Sequence, residues 1–357
     1  MKDARVSALA DILVNYSVAV KPGEMVLITS TELAQPLVEE VFAKVLEAGA
    51  FPRLKVTFST LLPLYFKHAQ DRHLDTLLDL DLEEYAKADC LINIRAPGNV
   101  KELSGVEPGR ISRRMKAMAP IKDIIIGDQI RWVLVNYPTQ ALAQEASMSL
   151  QEYEDFLFTA TNLDWQEASK QQDKIKAAFD AGSRVRIQGP GTDLSLSIEG
   201  RVGEKCDGHK NMPDGEVFYA PVEDSAEGFI TYDYPAIFQG QEVDKVYLEF
   251  KQGVVVKATA EKNQEMLESV LNLDEGARRL GEFGIGVNYG LDRFSKDILF
   301  DEKIGGTIHL ALGSAYTGIG GKNKSAIHWD MIKDLRKGGS LTLDDKVVQK
   351  DGAFTLD

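Results

Sequence analysis

The 357-residue chain predicts an α/β N-terminal domain with an open, mainly parallel sheet over residues 1–180, followed by a C-terminal β-rich α+β domain over 181–357 that carries a metal site. Three observations predict this. The chain is longer than one hydrophobic core usually serves, so two domains are expected. Strand-like and helix-like segments alternate through the first half, which is the pattern of βαβ units. The second half consists of short alternating strands separated by turn residues, which is the pattern of an antiparallel domain.

Taken in order, residues 4–19 carry Val6, Leu9, Ile12 and Leu13 at helical spacing and predict a helix on the outside of the first domain, ended by Pro22 and Gly23. MVLIT (25–29) reads as a buried strand, 31–50 as a helix closed by Gly49, and PRLKVTF (52–58) as a second strand. The unit recurs, with 75–88 helical, CLINIRA (90–96) a strand, 110–121 helical and RWVLVNYP (131–138) a strand. Strand–helix–strand order implies parallel neighbours. No phosphate-binding loop follows these strands: STELAQ has no glycine and APGN has one, so a nucleotide cofactor is not expected. From Thr139 to about Ala181 the sequence is helical and polar, and the domain boundary is placed at its end.

Beyond that point come strands within 184–201, 216–221, 227–238, 245–261 and 341–354, with one helix in 263–281. In TIHLALGSAY, Ile308, Leu310 and Leu312 alternate with Thr307, His309 and Ala311, so His309 points away from the core. In EFGIGVN, Phe283, Ile285 and Val287 alternate with Glu282, Gly284 and Gly286. The carboxylate therefore stands on a face whose neighbours lack side chains, which suits close approach by an ion. His328 and Asp330 are two apart in IHWDMI and project to the same side, with Trp329 turned the other way. Glu216 opens the short β-favouring run EVFYA.

A single histidine is more often a hydrogen-bonded structural residue than a ligand, and a single glutamate is usually surface charge. Here two of only five histidines lie near strand-borne carboxylates in glycine-rich surroundings, so Glu216, Glu282, His309, Tyr316, His328 and Asp330 are read as one site. Mixed nitrogen and oxygen donors without a thiolate pair suit Zn, Co or Mn. Three carboxylates and two imidazoles suffice for two divalent ions sharing a bridging group. Other candidates are weaker. GIGGKNKS lacks the spacing of a phosphate loop, Cys206 and His209 are a pairing common by chance, and His68 and His73 sit in a charged helical region as surface residues.

The segments NMPDGEVFYAP, RRLGEFGIGVN, GGTIHLALGSAY and NKSAIHWDMI, in this order, resemble the thermophilic-type metallo-aminopeptidase family, the group of aminopeptidase T, aminopeptidase S and PepS. GPGTDLSLSIEGR resembles a further signature, and the N-terminal half resembles the family's first domain more loosely. The resemblance implies two divalent metal ions held by Glu216, Glu282, His309, His328 and Asp330, an active-site tyrosine at Tyr316, peptide substrates with a free N-terminus, and a homodimer. One local departure is Asp214–Gly215 before Glu216, which changes what lines the substrate side. Glu282 and Glu216 are both candidates for the base that receives the water's proton, and Tyr316 for the donor to the developing oxyanion. The alternatives are a dinuclear hydrolase of another amide or ester, and a metal-stabilised binding protein without turnover.

Charge and composition limit the partners. A formal charge of −14 disfavours nucleic acid, which needs clustered Lys and Arg. Hydrophobic and charged fractions of 44% and 27% are those of a soluble globular protein. The two cysteines, Cys90 and Cys206, form no disulfide framework. The opening segment MKDARVSALADILVNYSVAV is interrupted by Asp3, Arg5, Asp11 and Asn15, and no long apolar run occurs elsewhere. A cytoplasmic protein with no membrane partner is expected.

Overall fold

The computed structural model describes residues 3–356, which form two compact units. The first unit comprises residues up to Asn162 together with Gly208–Pro213, and the second comprises Leu163–Asp207 and Asp214 onward.

The first unit is built on a five-stranded sheet in the order Phe51–Thr57, Met25–Thr31, Cys90–Arg95, Arg131–Asn136, Asn211–Met212, parallel throughout. The parallel order follows from its helical crossovers. Helix Gln35–Glu47 has a proline in its first turn and buries Leu37, Val38, Val41 and Val45, the three- and four-residue spacing of one helical stripe. Residues 4–19 divide into the α-helix Ala4–Asp11 and a π-helical turn, Ile12–Ser17, and bury Val6, Leu9 and Leu13 as the spacing requires. The fifth strand has no counterpart in the sequence pattern. It is only two residues long and comes from NMPDGEVF, where the chain returns to pair with Arg131–Asn136.

The boundary expected near 180 lies instead at 162/163. Helix Trp165–Asp180 belongs to the second unit because its apolar face does: Ile175 and Phe179 lie in that unit's core. The Tyr219 hydroxyl is within hydrogen-bond distance of both the Lys176 carbonyl (3.1 Å) and Asp180 Oδ1 (3.0 Å), tying the helix to strand Glu216–Tyr219. Sequence polarity hid this, since the exposed face of the helix is highly charged.

The second unit contains an eight-stranded and a five-stranded sheet, both antiparallel, sharing one core. The five-stranded sheet runs His328–Asp334, Thr307–Gly313, Leu280–Gly286, Glu216–Tyr219, Glu204–Cys206. Val217, Phe283, Ile285, Ile308, Leu310, Trp329 and Met331 turn into the shared core, against Val185, Ile187, Leu194 and Leu196 of the larger sheet. Each such side chain contributes on the order of 1.5–3 kcal/mol when removed from water. Strands Leu280–Gly286 and Thr307–Gly313 are buried on both faces. His309 does point away from the apolar core, but it meets a second buried layer rather than solvent, with no exposed surface. Among the described residues no helix is long and apolar enough to cross a membrane.

Candidate metal centre

The second layer is polar, and the ladder register explains who stands in it. Glu216 pairs with Gly286, Gly284 with His309, Ala311 with both Glu282 and Asp330, and Gly313 with His328. Because side chains alternate along a strand, Glu216, Glu282, His309, His328 and Asp330 share the sheet face opposite the apolar core. Four adjacent strands thus bring all five sequence-predicted donors together.

Glu282 is central. Its Oε1 lies 3.0 Å from His309 Nε2 and its Oε2 lies 3.3 Å from His328 Nε2. His309 Nε2 is also 3.4 Å from Glu216 Oε2, and His328 Nε2 is 3.6 Å from Asp330 Oδ2. The far nitrogens are anchored on backbone: His309 Nδ1 is 3.0 Å from the Glu302 carbonyl, and His328 Nδ1 is 2.8 Å from the Ser314 carbonyl. A carbonyl only accepts, so each Nδ1–H donates and each Nε2 faces the carboxylates, the orientation metal-ligating imidazoles usually take.

The glycines of EFGIGVN have a role other than ion access. A Cβ on Gly284 would lie 2.0 Å from the His309 ring, and one on Gly286 would lie 2.3 Å from the Ile304 carbonyl. The first glycine makes room for the imidazole and the second for the incoming segment at 302–304.

That segment supplies two residues that the sequence pattern does not reveal. The Lys303 ammonium, with no exposed surface, pairs with Glu302 and lies 3.5 Å from Glu216 Oε1. Glu302 joins Glu216 and His309 in one group of donor atoms, while Glu282, His328 and Asp330 form another. A third group joins Cys206, Asp214 and Glu216. LFDEKIGGT looks like ordinary surface charge in sequence. The only signal is its place just before the His309 strand. His209 belongs to the first unit and packs against the Tyr16 ring. His68 and His73 are exposed, as expected.

Electrostatics follow from burial and crowding. Burial would raise Glu282, but its hydrogen bonds to His309 and His328 outweigh that and hold it at about 2. Burial would lower both histidines. The Glu282 hydrogen bond and the surrounding carboxylates outweigh it at His309, raised to about 10, and bonds to Asp330 and Glu282 do so at His328, raised to about 11. At Glu216 and Glu302 burial prevails and pushes the carboxyls up, Glu302 to about 8. Burial also pushes the Cys206 thiol up, which keeps it protonated and a poor metal donor.

The residues fit divalent ions. The cage holds the carboxylates of Glu216, Glu282, Glu302 and Asp330 with a single ammonium, Lys303, which reaches only Glu216 and Glu302; the imidazoles present Nε2 inward, and Glu216 Oε2 and Asp330 Oδ1 are buried without a hydrogen-bond partner. Buried carboxylate oxygens without partners are costly unless something cationic meets them. Tyr316 stands at the rim, 51% exposed, its ring 5.4 Å from that of His328 and 5.4 Å from that of Phe218. Burial of its hydroxyl end, reinforced by the nearby carboxylates, raises the phenol, so it stays protonated.

This cage on an antiparallel sheet has the donor set of a divalent-metal site. Residues 2–354 match the model of the thermophilic metalloprotease family (M29), and the chain belongs to that family of hydrolases. Aminopeptidase 2 of Geobacillus stearothermophilus is 28% identical over 394 residues, covering 96% of this chain and 94% of that protein. Aminopeptidase T of Thermus aquaticus is 29% identical, covering 86% of this chain and 84% of its own. The structure of wild-type AmpT from Thermus thermophilus superposes with a TM-score of 0.85 at 23% identity over 99% of both chains, which establishes the shared fold. A 2,5-dihydroxypyridine dioxygenase from Pseudomonas putida KT2440 shares the fold more distantly, with a TM-score of 0.60 at 13% identity over 99% of this chain and 98% of that one. The fold therefore does not select the chemistry, and the site must.

Proposed function

We propose that this protein is a dinuclear metal-dependent aminopeptidase that removes N-terminal residues from peptides. The observation that carries the reading is Glu282, whose two oxygens face two different imidazoles, each belonging to a separate donor group. Glu216, Glu302 and His309 would hold one divalent ion, His328 and Asp330 the other, and Glu282 would serve both. Nitrogen and oxygen donors of this kind suit Zn, Co or Mn. When bound, such ions polarise a carbonyl and lower the pKa of water towards neutrality.

The chain's own groups do the rest. The two carboxylates that the sequence leaves open as base, Glu216 and Glu282, both face His309 Nε2 in the cage, and either would receive the water's proton. Lys303 offsets part of the charge of Glu216 and Glu302 and helps hold them from inside the protein. Tyr316, protonated and partly exposed with its ring beside His328, would donate its O–H to the oxyanion formed as the scissile carbonyl becomes tetrahedral. Family resemblance supports a free α-amine on the substrate and a homodimer.

Matched peptides with free and N-acetylated termini test the reading on the metal-loaded protein. Cleavage of the free peptide alone supports it. Equal cleavage of both would favour a general amidase, and cleavage of neither a binding protein.

A further inference from the structure

On the core side of the five-stranded sheet lies a cavity of about 510 Å³, bordered by helix Trp165–Asp180, the segment Val287–Gly290 and the C-terminal residues Phe354 and Leu356. Its volume is that of a small-molecule site. Among the described residues, no cage donor stands in its wall. Trp165 and Ile175 come from the buried stripe of the helix, and Val287, Phe354 and Leu356 pack against the apolar core. The stripe is broken once. Trp165, Gln172, Ile175 and Phe179 recur at helical spacing, and a carboxamide stands where an aliphatic side chain would complete the face. Gln172 is 1% exposed and lines the cavity, and its Nε2 and Oε1 have no hydrogen-bond partner among the described residues. Other polar groups of the wall are committed or at the rim. Asn288 donates from Nδ2 to the Asp214 carbonyl at 2.8 Å and accepts at Oδ1 from the Gly290 N–H at 2.9 Å. Asp164 Oδ1 caps the helix by accepting from the Glu167 N–H at 3.0 Å, and Glu167, Gln171 and Lys174 are exposed.

We propose that this cavity is a second ligand site, for an apolar molecule that presents the N–H and C=O of a cis amide side by side, as a lactam or a cyclic dipeptide does. A buried carboxamide with neither atom bonded is costly, because each group has left water without a replacement. The ligand that removes this cost offers an acceptor to Nε2 and a donor to Oε1 along one edge. A carboxylate offers only acceptors and an ammonium only donors, and either brings its charge against a wall built mainly from apolar groups. A hydrocarbon fills the space but leaves the carboxamide as it was. A cis amide on an apolar ring meets both requirements, and the rest of its surface leaves water against Trp165, Ile175 and Phe354. A cyclic dipeptide has no free N-terminus, so the inference stands apart from the peptidase reading and holds whether or not that reading does.

The probe is cyclo-(Leu-Phe), with its doubly N-methylated form as control, titrated by calorimetry into the full-length, metal-loaded protein and into Gln172→Leu and Ala168→Phe variants. Methylation removes the donors and keeps the rest of the molecule. The wild type should bind the parent about 10- to 100-fold more tightly than the methylated form. Gln172→Leu should lower the parent's affinity by the same factor and leave the two forms equal. It should also raise the thermal midpoint, because it completes the apolar stripe and removes two unbonded groups. Ala168→Phe fills the cavity from a half-buried position on the helix, and should abolish binding in a folded protein. Equal affinity of the wild type for the two forms, binding of neither, tighter binding of adenosine, or parent binding that Gln172→Leu leaves unchanged would overturn the proposal. So would a lower thermal midpoint in Gln172→Leu, which would show that the carboxamide serves the fold.

Discussion

Gly284 and His309 face each other across two paired strands, and the imidazole occupies the space where a side chain at 284 would stand, only 2.0 Å from where its Cβ would fall. The ring cannot step aside cheaply. It is fully buried, and both nitrogens are held, one by the Glu302 carbonyl and one by Glu282.

Gly284→Ala should therefore act as a ligand mutation without touching a ligand. Metal affinity is expected to fall about 10- to 100-fold, with kcat/KM falling alongside it, while the far-UV circular dichroism stays native. Unchanged metal affinity in a folded variant would show that His309 is not a ligand.

Tyr316→Phe separates a catalytic hydrogen bond from a structural one. The ring is half exposed and, among the described residues, none bonds its hydroxyl, so the change should alter stability by less than about 0.5 kcal/mol. If the phenol donates only to the oxyanion, kcat should drop on the order of 10²- to 10³-fold with KM little changed and metal content unchanged. Wild-type turnover with the metals in place would remove Tyr316 from the mechanism.

Metal and protons should compete for the same nitrogens. In the metal-free chain His309 is raised to about 10 and His328 to about 11, so both are imidazolium at neutral pH. Raised values mean that these ion pairs stabilise the metal-free fold fully below the unfolded histidine value of about 6.5 and lose that contribution as pH climbs through the folded values. Ligation needs neutral imidazole, so uptake must release protons and apparent affinity must rise with pH. Calorimetric titration at about pH 7.5 in two buffers of different ionisation enthalpy measures this directly. Identical heats in both buffers, meaning no net release, would contradict the cage as described.

Much of this centre was legible because strand alternation is a strong constraint. Ile308, Leu310 and Leu312, like Phe283 and Ile285, had to face a core, and that alone put Glu282 and His309 on the opposite face. His328 and Asp330 followed from being two apart. Three things were not legible. Glu302 and Lys303 read as surface charge because their burial depends on docking against 286–288, through the Asn288 N–H to the Lys303 carbonyl and the Gly305 N–H to the Asn288 carbonyl. The same docking gave Gly286 its purpose, which local pattern assigned to the ion. The two-residue strand Asn211–Met212 is too short to show a period, and the charged outer face of Trp165–Asp180 concealed which core its other face joins.

Glu282 belongs to one donor group and its Oε1 lies 3.0 Å from His309 of another, so the active chain should need two ions. The decisive measurement is hydrolysis of a free-N-terminus peptide during stepwise addition of Co, Zn or Mn to chelator-stripped protein, with bound metal counted per chain at each step. No activity is expected in the stripped protein, followed by a rise that saturates at two equivalents. Full activity in metal-free protein, or saturation at a single equivalent, would contradict the dinuclear centre.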